Sequence, residues 1–133
     1  MEKVTRHQER IWAVQILYSM DIKDKFDKKQ SEIEIKNIIS NNDLEDGNYY
    51  FEELVQGVLA NIEEIDKKIS KYAVDWELSR MAYVDRNILR LAIFELQTEI
   101  PVGVAINEAV ELAKEFADQK SSSFINGILG KVT

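Results

Sequence analysis

The stretch Val84–Glu99, with the sequence VDRNILRLAIFELQTE, decides the fold of this 133-residue chain. It predicts a helix on which apolar residues occupy nearly every side between Ile88 and Leu96, and Pro101 ends that helix. A helix without a broad polar face has to be covered by protein on most sides. The sequence therefore predicts that this helix lies at the centre of a helical bundle.

Apolar residues at helical spacing predict further helices on both sides of this segment. The clearest pattern puts six of them on one helical face: Phe51, Leu54, Val55, Val58, Leu59 and Ile62. The other helices are predicted from about Thr5 to Met20, from Ser31 through Ile39, from Ile62 to Tyr72, from Ile106 to Phe116, and from Ser121 or Ser122 through Leu129. We therefore predict a single all-α domain of about seven helices in two stacked small bundles, divided near Asn61 into subdomains of about 1–60 and 61–133.

Short polar patterns predict where several helices begin. Thr5–Gln8 and Ser31–Glu34 both fit a capping box, in which the first side chain accepts a hydrogen bond from the backbone of the fourth residue. Asp46–Asn48 is typical of a turn followed by a cap, and Asp21–Lys29 is predicted to be a charged loop.

Composition limits the class of protein. The chain is 45% hydrophobic and 31% charged, which favours a folded helical domain over a disordered one. No apolar run reaches the length of about 18 residues that a membrane span needs, and no membrane contact is predicted. Without cysteine there is neither a disulfide nor a thiolate metal site, and the cytoplasm is the simplest location. The net charge of −7 opposes nonspecific nucleic-acid binding but does not exclude a local basic patch.

The residues that catalysis usually requires are scarce. His7 is the single histidine, and the glycines form no phosphate-binding loop. The adjacent carboxylates Glu52-Glu53 and Glu63-Glu64 point about 100° apart on a helix, so they are interpreted as solvated. The sequence predicts a binding module with no cofactor and no metal, not an enzyme.

Basic and aromatic residues near the N-terminus form the first candidate binding patch. Lys3, Arg6, His7 and Arg10 lie near the start of the first helix, where the helix dipole favours anions. Arg6 and Arg10 share one helical face, which indicates either an anionic ligand or an ordinary solvated helix start. Tyr18, later in that helix, is interpreted either as a ring that stacks on a nucleobase or as a residue at the edge of the core.

Two further patches lie in the second half of the chain. Arg86 and Arg90 form the polar stripe of the central helix beside Asp85. They are interpreted either as residues that bind a ligand or as residues that form ion pairs between helices. Lys120–Ser123 precedes the last predicted helix, where backbone N–H groups, hydroxyls and an ammonium favour either a phosphate or plain capping. Phe124 is interpreted as a core residue or as a stacking platform.

Five stretches together resemble the NusB family of bacterial transcription antitermination factors, in the same order and at family spacing. They are AVQILY at 13–18, FEELVQGV at 51–58, VDRNILRLAIFEL at 84–96, VAINEAVELAK at 104–114 and FINGIL at 124–129. The resemblance runs from the first helix to Leu129, and the last two stretches are highly specific. It implies a helical fold of two bundles.

The resemblance also implies a function and a set of contacts. NusB proteins pair with NusE, a small-subunit ribosomal protein, and the pair binds single-stranded boxA RNA in nascent ribosomal transcripts. Within an antitermination complex, the pair helps RNA polymerase to read through terminators. The RNA contacts of the family fall here on Arg6, His7, Arg10, Gln15, Tyr18, Asp85, Arg86, Arg90, Lys120, Ser121 and Phe124.

The chain departs from the family pattern at a few of these positions. His7 and Gln8 stand where arginines are common, Lys120 replaces an acidic residue, and Ser123 replaces the basic residue before Phe124. Two alternatives remain open: a protein-interaction module without RNA affinity, and an accessory domain of an RNA methyltransferase. A homodimer is also left open, and the residues that face NusE are expected in the second bundle without being assigned.

Overall fold

The computed structural model describes residues 4–133, which fold into α-helices joined by short connections. The helices are α1 (Arg6–Ile22), α2 (Lys28–Asn41), α3 (Tyr50–Ala60), α4 (Ile62–Tyr72), α5 (Tyr83–Leu96), α6 (Val102–Phe116) and α7 (Gln119–Val132), with a 3₁₀ turn at Leu78–Arg80. Residues 4–133 contain no strand, so the predicted all-α fold of about seven helices is confirmed. None of these helices has the length and apolar character that a membrane crossing would need.

Helix α5 occupies the centre of the structure, as the sequence predicts. It packs against α1, α3, α4, α6 and α7, and every residue from Asn87 to Ile93 is buried. Burying a large aliphatic side chain contributes roughly 1.5–3 kcal/mol, so its row of leucines and isoleucines is a major source of stability. The helices that pack against α5 shield its apolar side chains from solvent.

The buried polar side chains of α5 have partners on the helices around it. At one end, Arg86, Asn87 and Arg90 donate hydrogen bonds to Asp21 of α1. At the other end, Glu95 is fully buried and receives hydrogen bonds from α1 and α3. Buried charges are tolerated only when they are paired, so these contacts fix the position of α1 along α5.

The start of α3 is held by a side chain from another helix. Glu9 of α1 accepts hydrogen bonds from the backbone N–H groups of Tyr50 and Phe51, at 2.6 and 3.3 Å. The N-cap residue is Tyr49, whose own N–H donates to the Glu52 carboxylate at 3.0 Å. The cap predicted at Asp46–Asn48 is therefore wrong, because α3 begins later and a long-range carboxylate satisfies its first turn.

The predicted start of α2 is also wrong. The N-cap is Asp27, whose carboxylate accepts from the Gln30 N–H at 2.8 Å, and Ser31 lies inside the helix. Ser31 is buried, its hydroxyl donates to the Lys28 carbonyl, and it accepts from Gln56 of α3. Two capping patterns follow one another in the sequence, at 27–30 and 31–34, and the earlier one starts the helix while the contact with Gln56 holds Ser31 inside it. Helix α1 likewise continues to Ile22, so the predicted loop is shorter than 21–29.

The first capping prediction agrees with the structure. Thr5 precedes α1, and its hydroxyl accepts from the Gln8 N–H at 3.0 Å. Between α3 and α4 only Asn61 intervenes, and its side-chain amide donates to the Gly57 carbonyl. The division of the chain near Asn61 into two subdomains stays a prediction.

Helices α3 and α5 approach closely at Gly57, which gives the first testable prediction. A methyl group at this position would overlap the ring of Phe94. Gly57→Ala should therefore lower the free energy of unfolding by about 1–3 kcal/mol, the usual cost of overpacking. Chemical denaturation followed by circular dichroism measures the change.

Two variants control for helix propensity. Gly127→Ala, at an exposed helical position with open space around it, should instead stabilise by about 0.5–1 kcal/mol. In a Phe94→Ala background, Gly57→Ala should no longer destabilise. An equal loss with and without the Phe94 ring would show that the close approach is not the cause.

Candidate nucleic-acid interface

Two exposed tyrosines meet where the end of α1 passes the start of α5. The rings of Tyr18 and Tyr83 pack edge to face, with centroids 6.3 Å apart, and their residues are 37% and 43% exposed. The guanidinium of Arg86 lies 4.4 Å from the centroid of the Tyr83 ring. The structure thus places Tyr18 at the surface with part of its ring covered, an arrangement that fits both stacking on a base and a position at the edge of the core.

A second aromatic pair lies on the other side of the start of α5. Trp76, in the connection after α4, packs edge to face on Phe124 of α7 at 5.5 Å, and Trp76 is 54% exposed. Phe124 is partly buried and packs against the core, which supports the core interpretation, and its part in stacking on a base stays a prediction. We call Tyr18, Trp76, Tyr83 and Phe124 the aromatic surface.

Sequence reasoning did not single out Trp76 or Tyr83 as part of a site. Trp76 falls in a connecting turn and Tyr83 begins a helix, and helical periodicity does not show which of these rings reaches solvent. A turn that carries a large aromatic residue beside charged residues was the available signal for Trp76, because loops more often expose polar groups.

The first turn of α7 holds Lys120 and Ser121 beside Phe124. The N-cap is Asp118, whose carboxylate accepts from the Ser121 N–H at 2.8 Å, so the predicted cap at Ser121 or Ser122 is wrong. Ser122 is buried and donates its hydroxyl to the Gln119 carbonyl. Because an acidic side chain already closes this helix start, the geometry disfavours the predicted phosphate site on its backbone N–H groups. Lys120 is exposed.

Asp85 faces this helix start from α5. Its Oδ1 atom is buried and has no hydrogen-bond partner among the described residues. Burial raises the pKa of Asp85, the neighbouring Ser121 hydroxyl opposes that rise, and the charge of Asp118 adds to it. The Oδ1 atom of Asp85 therefore receives no hydrogen bond from the described residues.

Arg86 and Arg90 are engaged in ion pairs between helices, one of the two interpretations left open for them. Arg86 donates to both carboxylate oxygens of Asp21 at 2.6 Å, and Arg90 donates to Asp21 and to Asp66 of α4 at 3.0 and 2.9 Å. Burial opposes the charge of Asp21, but hydrogen bonds from Arg86 and Asn87 and the charge of Arg90 hold its pKa below the usual range. The guanidinium of Arg90 is buried and is not open to a phosphate.

Arg10 is also buried, with 4% of the residue exposed. It donates to both oxygens of Glu95, and the Tyr50 hydroxyl donates to the same carboxylate at 2.6 Å. Burial and the adjacent Glu95 raise the pKa of Tyr50, so that hydroxyl stays a donor. The geometry favours a structural role for Arg10 over the RNA contact that the family resemblance implies.

Arg6 and His7 lie at the far end of α1 from Tyr18. Arg6 is exposed, pairs with Glu9 at 3.2 Å and stacks on Tyr50 at 4.2 Å. The ring of His7 lies between two carboxylates of α6, at 2.8 Å from Glu108 and 3.2 Å from Glu115. Eleven residues separate His7 from Tyr18, about 16 Å along the helix axis.

The predicted contacts therefore fall into separate places. Tyr18, Asp85, Arg86, Lys120, Ser121 and Phe124 surround the start of α5, whereas Arg6, His7 and Arg10 lie beside α3 and α6. Gln15 is exposed on a third side of α1, next to Glu34 and Asn37 of α2. Arg90 lies beneath the surface. Lys3, also part of the predicted basic patch, lies outside the described residues.

The Arg10–Glu95 pair can be tested by stability. Arg10→Met leaves the Glu95 carboxylate buried without its counter-charge, so the free energy of unfolding should fall by about 3–5 kcal/mol. The double variant Arg10→Met/Glu95→Leu should recover most of this loss, because both charges are then removed. Arg80→Met, at an arginine side chain that is 81% exposed, is the matched control and should change little. A single variant as stable as the control would contradict the structural role.

The contacts of His7 predict a pH dependence. The hydrogen bond to Glu108 raises the pKa of His7 above 6.5, burial opposes the rise, and Glu115 adds to it. Because the folded pKa exceeds the unfolded one, the stabilisation is complete below the unfolded pKa and is lost as the pH rises through the folded pKa. His7→Gln should therefore lower the unfolding temperature at about pH 6 and have little effect at about pH 9. The change should be small, since this side chain is 36% exposed. Equal effects at both pH values would argue against the ion pairs.

Sequence comparison relates nearly the whole chain to one family. Residues 7–133 match the sequence model of the NusB family. The transcription antitermination protein NusB of Halothermothrix orenii is 50% identical over 129 residues, covering 97% of this chain and 96% of that protein. NusB of Bacillus subtilis is 42% identical over 130 residues, covering 96% and 93%.

Solved structures agree with this relationship. NusB of T. maritima superposes with a TM-score of 0.83 at 31% identity, covering 98% of this chain and 92% of that chain. A chain from the crystal structure of the antitermination factors NusB and NusE in complex with dsRNA superposes with a TM-score of 0.80 at 29% identity, covering 97% of both. The protein belongs to the NusB family.

Proposed function

We propose that this protein is a transcription antitermination factor that binds boxA RNA of nascent ribosomal transcripts together with NusE. The observation that carries the proposal is the aromatic surface, which consists of two edge-to-face ring pairs at the start of α5, Tyr18–Tyr83 and Trp76–Phe124. Tyr18, Trp76 and Tyr83 are exposed, and Phe124 is partly buried. Aromatic faces bind unstacked bases with about 1–3 kcal/mol per base. Membership of the NusB family and the related NusB–NusE complex with RNA support the same assignment.

Stacking on such rings favours RNA with unpaired bases. In an RNA duplex the bases are stacked on one another, so proteins read duplexes mainly by shape and backbone contacts. The related complex contains dsRNA. A comparison of single-stranded boxA RNA with its duplex therefore belongs to any test, and the aromatic surface predicts tighter binding of the single strand.

The charges on this chain indicate that NusE supplies much of the phosphate contact. Arg10, Arg86 and Arg90 are bound to carboxylates of the protein itself, and the net charge is −7. Lys120, in the first turn of α7, and Arg6, at the start of α1, are the exposed basic residues of the predicted set. We infer that this subunit contributes stacking and a few phosphate contacts, while the ribosomal-protein partner completes the positive surface.

The predicted contacts take different roles in this proposal. Tyr18, Phe124 and Lys120 contact RNA directly, joined by Trp76 and Tyr83. Arg86 orients Tyr83, and Asp85 and Ser121 lie where a base edge would approach. Arg6, His7 and Gln15 would be reached only by RNA that extends along α1, and Arg10 and Arg90 act by holding the helices.

The proposed activity is binding, without catalysis. The relatives are named as antitermination proteins, and the action proposed for them is assembly with RNA, NusE and RNA polymerase. A bacterial factor that acts on nascent transcripts works in the cytoplasm, which is the location proposed here. The methyltransferase-accessory alternative is not favoured, because the relatives are named as antitermination proteins.

Removing the Tyr18 ring tests the proposal. Tyr18→Ala should weaken binding of single-stranded boxA RNA to the NusE complex by about 1–3 kcal/mol, because one stacking face is lost. Tyr18→Phe keeps the ring and should bind like the wild type. Fluorescence anisotropy measures both, and thermal unfolding should show no large loss of stability. A change in unfolding with unchanged RNA affinity would assign Tyr18 to the core.

RNA binding, measured with and without NusE at several salt concentrations, distinguishes the proposed factor from a protein-interaction module. A protein-interaction module without RNA affinity would bind NusE but leave the RNA affinity of NusE unchanged. The proposed factor should instead raise that affinity. Because each phosphate contact contributes to the salt slope, the complex should bind more weakly at higher salt, and Lys120→Gln should reduce the slope by at most about one unit.

A further inference from the structure

Helix α6 holds the ring of His7 at both of its nitrogen atoms. Nδ1 lies 2.8 Å from Oε2 of Glu108, and Nε2 lies 3.2 Å from each carboxylate oxygen of Glu115. A histidine donates at both nitrogens only when it is protonated, so this geometry suits the charged imidazolium. Each N–H group of that imidazolium is then occupied by a carboxylate of the protein itself, and neither is open to a phosphate.

His7 lies on the face of α1 that RNA bound at Tyr18 would follow. The eleven residues between them correspond to about three helical turns, so the two side chains project from the same side of α1. RNA that extends from the aromatic surface along this face would bring a phosphate near His7. The family resemblance implies an RNA contact at this position, whereas here two carboxylates occupy the ring.

The charges around His7 do not favour a second anion. Within the described part of the chain, His7 and Arg10 face three carboxylates, those of Glu95, Glu108 and Glu115. The Nη1 atom of Arg10 lies 3.8 Å from Glu108, so that carboxylate serves both cations. An approaching phosphate meets a surplus of negative charge within the distance of about 8–10 Å over which charges act at ordinary salt.

Helix stability does not account for the acidic residue at position 115. Glu115 lies in the last turn of α6, where the helix dipole disfavours a negative charge. Its side chain is 45% exposed, and exposed ion pairs contribute little to the stability of a fold. The contact of Glu115 does, however, occupy the second N–H group of His7.

We propose that Glu108 and Glu115 bind His7 in place of an RNA phosphate and so end the RNA-binding surface before the start of this face of α1. This inference rests on the proposed function and deepens it, because it names residues that limit the RNA site without touching RNA. Phosphate contacts supply affinity that does not depend on sequence. By occupying His7, the two carboxylates remove one such contact from the protein.

The limit is tested with RNAs of different length. The probes are single-stranded boxA RNA and the same RNA with a 5′ or a 3′ oligouridine extension long enough to reach His7, each bound at pH 6 to the complex of the full chain with NusE. Glu108→Gln/Glu115→Gln should bind one of the extended RNAs about two- to fivefold more tightly than the wild type does, and the short RNA equally. The salt slope for that extended RNA should steepen by about 0.7, the value for one phosphate of a single strand.

A matched variant and a second pH value control for net charge. Glu63→Gln/Glu64→Gln removes two exposed carboxylates of α4 and should bind every RNA like the wild type. Without its two carboxylates, the pKa of His7 returns towards the ordinary value of about 6.5, so the freed ring is charged at pH 6 and neutral at about pH 8.5. The gain in affinity should therefore disappear at the higher pH. Thermal unfolding of each variant reports any loss of the fold.

The outcomes separate this inference from the proposed function. If the α6 variant and the α4 variant bind the extended RNAs alike at pH 6, the inference is overturned while boxA binding stands. A gain that is equally large at both pH values would come from the lost negative charge and not from His7, and the inference also fails. Weaker binding by the α6 variant would show that the carboxylates support the RNA site. If the wild-type complex binds none of the RNAs, the proposed function itself is wrong.

Discussion

Asp21, in the last turn of α1, is the residue that fixes α1 against α5 and so positions the Tyr18–Tyr83 pair of the aromatic surface. Its two oxygens accept hydrogen bonds from three side chains of α5, among them Arg86 and Arg90, at distances from 2.6 to 3.0 Å. A largely covered carboxylate with several donors leaves its helix little freedom to slide or rotate. Tyr18 lies one turn before Asp21 and Tyr83 one turn before Arg86, so the same contact brings the two rings together. The contacts of Asp21 with α5 thereby set the positions of two exposed rings, Tyr18 and Tyr83.

The internal use of the arginines explains how a protein with a net charge of −7 can bind RNA. Most arginines that would attract phosphates are used internally, at Asp21, Asp66 and Glu95, where they hold the helices around α5. The resulting surface exposes the rings of Tyr18, Trp76 and Tyr83, and stacking depends less on net charge than phosphate contact does. A basic partner then complements the chain electrostatically.

Much of the fold could be predicted from the sequence, and much of the site could not. The buried central helix follows from local spacing, because apolar residues on all sides leave a helix no solvent face. The start of α7 was misplaced, because Asp118 and Ser121 both fit a cap and only the surrounding structure selects between them. Arg10 could not be assigned to Glu95 because 85 residues separate them. Trp76 belongs to the site only through its position beside α7, which no local pattern encodes. The RNA contacts themselves stay predictions.

The most direct test of the account is to locate the RNA on the protein. Single-stranded boxA RNA containing 4-thiouridine at each position in turn is bound to the complex with NusE, irradiated, and the cross-linked peptides are identified by mass spectrometry. The account predicts cross-links at Tyr18, Trp76, Tyr83 and Phe124, with few on α2 or α4. Cross-links confined to α2 or α4, with the aromatic surface unmodified in a fully bound complex, would contradict it.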